Sequence, residues 1–373
     1  MSRPDYTRAR EAAGFTWQVK GCEDALRVLA GVPIREFNLS PEACIEAYRK
    51  GRRLLLEIFG PDIQLPGLGT PSISYGHANG LGSDLLFPEG GEVGHTHIYA
   101  SLEEGIRRLQ QPVDFARAGM APFYLEFREE MQAAFPGEPV AFNYASEGPV
   151  TTAWELRGSG LFTDLYDDPD RTKHFLRLVT ESILAFERFR SSVNGEPLFR
   201  STGVGLADDI ASMIAPRFWP EFVLPYWEQR YAGLTSGKRT AHVEDLRPAH
   251  LRYLEDIGLS EYDPGQSSKL NPRVILSMCR VPFSWRLDAI YYSSMTVLDV
   301  QDFVFQTVAD GASSVFTYVE GITCQEPEVG KVVAFAEATK EAKRLLDAGV
   351  SRVEVGERVS PGGRRKFWEN WPP

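Results

Sequence analysis

The stretch RTAHVEDLRPAHLRYLEDIGLSEYD, residues 239–263, contains a short apolar run, a helical segment and a second short run. Pro248 opens the helical segment and Gly258 closes it, which are the positions that these residues favour at helix ends. A strand, a helix and another strand in so few residues are typical of βα units around a parallel sheet. This stretch therefore indicates an α/β protein.

The same alternation runs along the chain from about residue 137 onward. The remaining strand candidates are EPVAFNYASEGP (138–149), PLFRSTGVGLADD (197–209), RVILSMC (273–279) and SSVFTYVEG (313–321). Helical patterns cover 167–189, a segment opened by Pro216, 299–311 and 328–347. We predict a single (β/α)8 TIM-type barrel over residues 1–373, in which residues 1–70 form an N-terminal helical cap.

Composition and charge exclude several classes of protein. Lys and Arg number 40 against 51 Asp and Glu, a net charge of -11, so nucleic acid is not an expected partner. The sequence has neither a secretory leader nor an apolar run of about 18 residues, which favours a cytoplasmic protein without a membrane partner. The four cysteines form no CxxC pair, so we expect free thiols.

His242 and Glu244 are the first candidate functional residues. Side chains two apart in a strand share a face, and polar groups at the carboxyl ends of barrel strands lie at the mouth. Asp263 and Glu320 end two later strand candidates in the same way. Such a set predicts metal ligands or an acid–base pair. The alternative for His242 is a hydrogen bond to Glu244 or to a backbone carbonyl.

Several longer motifs carry a family resemblance. They are, in order, GPVTTAWELRG (148–158), DLYDDPDRTKHFLRLVTE (164–181), DDIASMIAPRFWPEFVLPYW (208–227), AHVEDLRPAHLRYLEDIGLSEYD (241–263) and VEGI (319–322). In this order and spacing they resemble the uroporphyrinogen decarboxylase superfamily, which includes cobalamin-linked methyltransferases. The resemblance implies a barrel enzyme.

The methyltransferase branch of that family suggests a metal site. Its members carry a His-x-Cys pair and a later Cys before Gly-Ile, which hold zinc. By position, His242 keeps the histidine, Glu244 and Glu320 replace the cysteines, and Asp263 matches an additional acidic ligand. Nitrogen and oxygen ligands suit Zn, Mn or Fe, with Zn favoured, and leave the metal a stronger Lewis acid than thiolates do.

The resemblance therefore implies a metal-dependent methyltransferase. It would move a methyl group between a small methyl donor or acceptor, such as a methoxylated arene, and a corrinoid carried by a partner protein. A metal-free decarboxylase or lyase is the alternative enzyme, although the arginine motif of that branch has no counterpart near the N-terminus. A non-catalytic corrinoid-docking barrel is the third reading, and a homodimer is the expected assembly.

Six further residues are candidates for catalysis or substrate binding. Asp208 and Asp209 are predicted to face the mouth or, alternatively, to cap a helix near Ala215. Glu147 is predicted to contact substrate or to cap a turn. The predicted substrate-binding residues are His77, Asn143 and Tyr318.

Two other features have competing interpretations. His95 and His97 have the spacing of a metal pair, but a surface hairpin is the favoured interpretation. Cys324 lies four residues beyond Glu320 and is a candidate substitute ligand, although a lone intracellular cysteine is more often inert.

Overall fold

The computed structural model describes residues 4–369 and has a mixed α/β fold with parallel sheets. Its strands, in chain order, are β1 (Thr16–Gly21), β2 (Ile63–Gln64), β3 (Leu85–Leu86), β4 (Gly94–His95), β5 (Gly203–Ala207), β6 (Lys238–His242), β7 (Glu261–Asp263), β8 (Ser284–Leu287) and β9 (Ser314–Val319).

Helices make up most of the remaining regular structure. Those of the first half are α1 (Ala9–Ala13), α2 (Glu23–Ala30), α3 (Ile34–Leu39), α4 (Pro41–Phe59), α5 (Gly76–Gly80), α6 (Leu102–Leu109), α7 (Ala121–Ala134), α8 (Pro149–Arg157), α9 (Gly160–Asp167) and α10 (Pro169–Asn194). Those of the second half are α11 (Trp219–Phe222), α12 (Leu224–Leu234), α13 (Arg252–Asp256), α14 (Pro272–Met278), α15 (Val297–Ala309), α16 (Glu328–Asp347), α17 (Arg352–Gly356) and α18 (Pro361–Glu369). Within the part of the chain described, no helix is both long and apolar enough to cross a membrane.

The chain divides into two compact units, and each is built from separate stretches of sequence. The first unit comprises Pro33–Ile45 and Gly67–Val243. The second comprises the described residues of Ser2–Val32, Glu46–Pro66 and Glu244–Pro373. A single closed barrel over the whole chain stays a prediction.

The first unit contains parallel strands. β5 pairs with β6 in a register that runs from Gly203 beside Lys238 to Ala207 beside His242. The segments 69–73 and 141–144 are also parallel, through bridges between Gly69 and Ala141 and between Ile73 and Tyr144. The predicted strand over 138–149 is thus reduced to isolated bridges.

The second unit contains a regular parallel sheet with the strand order β2-β1-β9-β8. β7 joins β8 through a parallel bridge between Tyr262 and Phe283. Since β1 has a strand on each side, residues 1–70 are not simply the helical cap that the sequence predicted. TWQVKG lies within the sheet and pairs with β9 over all six of its residues.

One predicted strand is wrong. Arg273 to Met278 of the run RVILSMC lie in α14, Cys279 directly follows the helix, and the strand of this region, β8, comes later. Asn271 caps the helix by accepting a hydrogen bond from the Val274 backbone nitrogen, and Pro272 occupies the first turn. These two start signals outweigh the β-branched residues of the run.

The longest helix, α10, fits its sequence prediction and supports the first unit. The Asp168 side chain accepts a hydrogen bond from the Arg171 backbone nitrogen at its start, and Gly195 ends it with a φ of 67°. Its buried face includes Phe175, Ile183 and Phe186, which are fully shielded from solvent. This apolar face packs the helix into the core of the unit.

Candidate functional site

Polar side chains follow the strand ends of the first unit. The register of β5 and β6 sets Ala207 beside His242, so the Asp208 backbone nitrogen donates to the His242 carbonyl at 3.1 Å. The Gly148 backbone nitrogen donates to the Ala207 carbonyl at 2.6 Å. The ends of β5 and β6 and the segment before Gly148 therefore bring Glu147, Asp208 and Asp209, and His242 to one region.

His242 lies beside Asp209. Its Nε2 is 3.8 Å from Asp209 Oδ1, and the two side chains are 30% and 45% exposed. Both groups are thus accessible to a small molecule. This acidic neighbour of His242 comes from the segment directly after β5, whereas the sequence pattern pointed to Glu244.

Glu147 is the group in this region that is best suited to exchange a proton at neutral pH. Its pKa is raised to about 7, mainly by burial and also by the nearby Asp209 and Asp208 carboxylates, while a hydrogen bond from Ser74 and the proximity of His242 act in the opposite sense. Its side chain is partly buried. A carboxyl group with such a pKa is populated in both protonation states near pH 7.

Asp208 has a structural role that the sequence did not predict. It is fully buried and accepts hydrogen bonds from the backbone nitrogens of Val150 (3.3 Å) and Thr151 (2.6 Å) and from Trp227 Nε1 (2.6 Å). Asp208 therefore anchors the first turn of α8, so its predicted role as a cap near Ala215 is wrong. Any effect on catalysis would act through α8.

The approach of Asp208 to α8 requires a glycine. A Cβ at Gly148 would lie 2.5 Å from the Asp208 Cβ and Cγ, which is well inside the contact distance. Glycine at this position lets the Asp208 carboxylate reach the free nitrogens of the helix start.

Glu155 is an unexpected acidic group in the interior of the first unit. It lies on α8, one helical turn beyond Thr151, and is 1% exposed. Neither carboxyl oxygen has a hydrogen-bond partner within residues 4–369. Burial raises its pKa well above the usual value, and the Glu147 and Asp208 carboxylates add to this rise. An unpaired buried carboxyl group of this kind is unusual in a folded protein.

Four rings cluster beside Glu155. His95 lies 4.4 Å from Tyr75, 5.3 Å from His97 and 5.8 Å from Trp154 between ring centroids. His97 lies 4.9 Å from Trp154, and its Nδ1 donates to the Glu155 carbonyl at 2.8 Å. The hairpin predicted for His95 and His97 is confirmed, since β3 pairs antiparallel with β4. Its histidines also pack against the aromatic residues of the unit.

Two predicted substrate-binding residues have structural roles. His77 is fully buried, with Nε2 2.9 Å from Ser182 Oγ and with Phe115 and Phe186 as ring neighbours, and burial lowers its pKa to about 3. Its predicted contact with substrate is therefore wrong. Asn143 donates through Nδ2 to the Thr70 carbonyl at 3.0 Å and so joins two strand segments.

The second unit contains a different polar cluster, centred on Arg286 of β8. Arg286 donates to Glu244 Oε1 at 3.0 Å, and its Nε lies 3.4 Å from Asp288 Oδ2. The Gln266 backbone nitrogen also donates to Glu244 Oε1, at 2.9 Å. The Arg286 side chain is 13% exposed and that of Glu244 is 34% exposed, so the ion pair is shielded mainly on the arginine side.

Tyr318 has two cations near its ring. Arg286 and Lys20 are each 5.7 Å from its ring centroid. Burial raises the pKa of Tyr318, and Asp263 raises it further. Asp263 itself accepts a hydrogen bond from the Gly265 backbone nitrogen at 2.9 Å. Tyr318 stays a predicted substrate contact.

Cys324 fits the inert interpretation. Its Sγ donates to the Glu320 carbonyl at 3.3 Å, and burial raises the pKa of the thiol to about 12. A protonated thiol is a poor metal ligand, since metals bind the thiolate.

Glu244, one of the predicted metal ligands, is already bound by a cation of the protein. Arg286 already provides a positive charge to Glu244 Oε1, and a metal ion would have to displace it. Within residues 4–369, no group of three His, Cys, Asp or Glu residues is arranged to hold a metal ion. The present arrangement does not fit a preassembled metal centre, and the ligand set His242, Glu244, Glu320 and Asp263 stays a prediction.

Sequence reasoning missed Glu155 and Arg286. Glu155 lies in TTAWEL, where a single acidic residue interrupts an apolar helical turn, and that interruption is the signal that could have found it. Arg286 lies in a strand that the sequence did not predict, so its position beside Glu244 could not be inferred.

Comparisons with known proteins support the fold. Neither a protein-family model nor a curated protein matches the sequence. Among solved structures, the fold is similar to that of a methyltransferase from Methanosarcina mazei, with a TM-score of 0.62 and 16% sequence identity over 90% of this chain and 97% of that chain. At this identity the likeness concerns the fold.

Proposed function

We propose that this protein is a cytoplasmic methyltransferase on a TIM-type barrel of the uroporphyrinogen decarboxylase type. It would transfer a methyl group between a small substrate and a corrinoid carried by a partner protein. The observation that carries the proposal is Glu147, a carboxyl group beside Asp209 and His242 whose pKa of about 7 suits proton transfer. The similarity to a methyltransferase fold supports the same class.

Glu147 would act as the proton donor. As the bond between the methyl carbon and its oxygen or nitrogen breaks, the bonding electrons stay on that heteroatom. Glu147 supplies the proton that makes this atom a neutral leaving group, and the methyl carbon forms its new bond to the acceptor. In the reverse direction, Glu147 accepts the proton.

His242 and Asp209 would position the substrate. Their half-exposed side chains, 3.8 Å apart, offer a hydrogen-bond donor and acceptor at the carboxyl ends of adjacent strands. When bound on its partner, the corrinoid would supply the nucleophile that accepts the methyl group. Metal binding by His242, Glu244, Glu320 and Asp263 remains a separate proposal, and no step above depends on it.

A methyl-transfer assay tests the proposal. Free reduced cobalamin replaces the partner protein, and guaiacol and dimethylamine serve as oxygen-bound and nitrogen-bound methyl donors. We expect the wild type to methylate cobalamin with at least one donor, measured by absorbance. Glu147→Gln should lower the rate by about a hundredfold, within the usual contribution of a general acid. Glu129→Gln, which alters an exposed carboxylate on α7, is the matched control.

Two outcomes would count against the proposal. Equal rates for the wild type and Glu147→Gln would refute the proton-donor role. Absence of methyl transfer together with CO2 release from a carboxylated substrate would favour the decarboxylase alternative, in which the same acid would protonate a carbanion. The half-buried acid Glu147 is the feature that keeps this alternative open.

A further inference from the structure

The sheet of the second unit presents a lysine and two aromatic rings on one face. Lys20 of β1 is paired with Tyr318 of β9, and Arg286 of β8 is paired with Phe316 of β9, so these four side chains lie on the same face. Lys20 Nζ lies 4.6 Å from the ring centroid of Phe316 and 5.7 Å from that of Tyr318. The ammonium group therefore lies over both rings.

Two hydrogen-bond donors on this face have no partner in the protein. Within the part of the chain that the structure describes, the Lys20 ammonium makes no ion pair or hydrogen bond, and the Tyr318 hydroxyl makes no hydrogen bond. Both side chains are half-buried, and both polar atoms remain open to solvent. Arg286 differs, because Glu244 and Asp288 already balance its charge. The face thus offers one cation and one neutral donor to a ligand.

Lys20 keeps its positive charge near neutral pH. Burial lowers its pKa from the usual 10.5, but the Asp263 and Glu261 carboxylates act in the opposite sense. The faces of Phe316 and Tyr318 also favour the charged form. A half-buried ammonium without a carboxylate partner among the described residues is uncommon, since shielding an unpaired charge from water is costly. An anionic ligand would provide the missing partner.

The nearby acids limit the charge that such a ligand can carry. Asp263 and Glu261 are close enough to act on Lys20 electrostatically. One unpaired positive charge balances a monoanion, whereas a dianionic phosphate would leave an excess negative charge beside these carboxylates. A carboxylate carries a single charge and has two oxygens that can each accept a hydrogen bond.

We propose that Lys20 and Tyr318 form a binding site for the carboxylate group of an organic acid. The Lys20 ammonium and the Tyr318 hydroxyl would donate hydrogen bonds to the carboxylate oxygens, and the half-buried Tyr318 ring would contact the carbon skeleton. The inference goes beyond the proposed function and does not rest on it.

Benzoate and benzamide test the preference for charge, because they share a shape but differ in having a carboxylate or a neutral amide. Ligand-observed NMR titration of the full-length protein gives both affinities at constant ionic strength. We expect benzoate to bind about tenfold more tightly, which is the size of one charge-assisted hydrogen bond. Lys20→Met should abolish that preference, and Tyr318→Phe should weaken benzoate binding about threefold. Lys238→Met, which removes an exposed lysine of β6, is the matched control and should leave it unchanged.

Lysine acetylation of the wild type locates the site without a substitution. Mass spectrometry measures how fast each lysine of the full-length protein is acetylated with and without benzoate. At a benzoate concentration of twice its Kd, acetylation of Lys20 should slow about threefold, because the ligand then occupies two thirds of the sites. Lys238 should react at the same rate in both samples, and benzamide at the same concentration should have little effect on Lys20.

Four results would overturn the inference. Equal affinity for the two probes, or no binding of benzoate, would show that the face does not select a carboxylate. A preference for benzoate that persists in Lys20→Met, or acetylation of Lys20 that benzoate does not slow, would place the carboxylate elsewhere. Stronger protection of Lys20 by inorganic phosphate than by benzoate would assign the site to phosphate instead. These outcomes are independent of the methyl-transfer assay.

Discussion

Glu147→Gln should change how the stability of the protein depends on pH. In the folded state the pKa of Glu147 is about 7, whereas the usual value for a glutamate is 4.5. The folded protein thus holds this proton more tightly than the unfolded chain does. The contribution of protonated Glu147 to the free energy of unfolding is complete below about pH 4.5 and is lost as the pH rises through about 7.

The size of the effect follows from that difference. At about 1.4 kcal/mol per pKa unit it corresponds to about 3 kcal/mol, and partial solvent exposure reduces it to roughly 2 kcal/mol. For a chain of 373 residues, an unfolding entropy of about 2.1 cal/mol/K per residue converts this into about 3 °C of melting temperature. Glutamine cannot ionise, so the variant should lose about 3 °C less than the wild type between about pH 4 and pH 8.

Thermal unfolding monitored by circular dichroism provides the measurement. The slope of melting temperature against pH is compared between the variant and the wild type. This comparison removes the contributions of other groups, including Asp208, whose pKa is raised to about 6 by burial. Glu129→Gln serves as the control because it removes an exposed carboxylate. If Glu147→Gln and the wild type show the same slope, the environment deduced for Glu147 is incorrect.

Three other substitutions test the contacts described above. Asp208→Ala leaves the Val150, Thr151 and Trp227 donors unpaired and should lower the free energy of unfolding by roughly 3 kcal/mol, whereas Asp209→Ala should lower it by less than about 1 kcal/mol. Chemical denaturation would measure the free energy of unfolding of both variants. Similar decreases in the two would contradict the role of Asp208 as the anchor of α8. Arg286→Met removes the cation that occupies Glu244 and should strengthen zinc binding about tenfold in calorimetry. Unchanged zinc binding would remove Glu244 from the predicted ligands.

The sequence predicted those helices and strands that have a strong hydrophobic periodicity or clear boundary residues. The pattern of α10 and the alternation around β6 and β9 were sufficient, because their apolar faces and boundary residues agree with the final packing. RVILSMC misled because its β-branched residues compete with the cap at Asn271. β1 was missed because its pairing partner lies at the far end of the chain.

The candidate site was predicted only in part, for a related reason. The sequence identified Glu147, Asp208, Asp209 and His242 as residues at strand ends, and the structure brings them together in the first unit. Which acid is accessible and which one anchors a helix depends on burial and on contacts between distant segments. Asp208 and Asp209 are adjacent in sequence, yet one is fully buried and the other half-exposed.

The central position of β1 affects synthesis of the chain on the ribosome. β1 emerges about 300 residues before its longest pairing partner, β9. At about 5–20 residues per second, one edge of β1 lacks that partner for roughly 15–60 s. During that interval an open strand edge can pair with another nascent chain. Production of this protein should therefore depend on chaperone capacity and on translation speed.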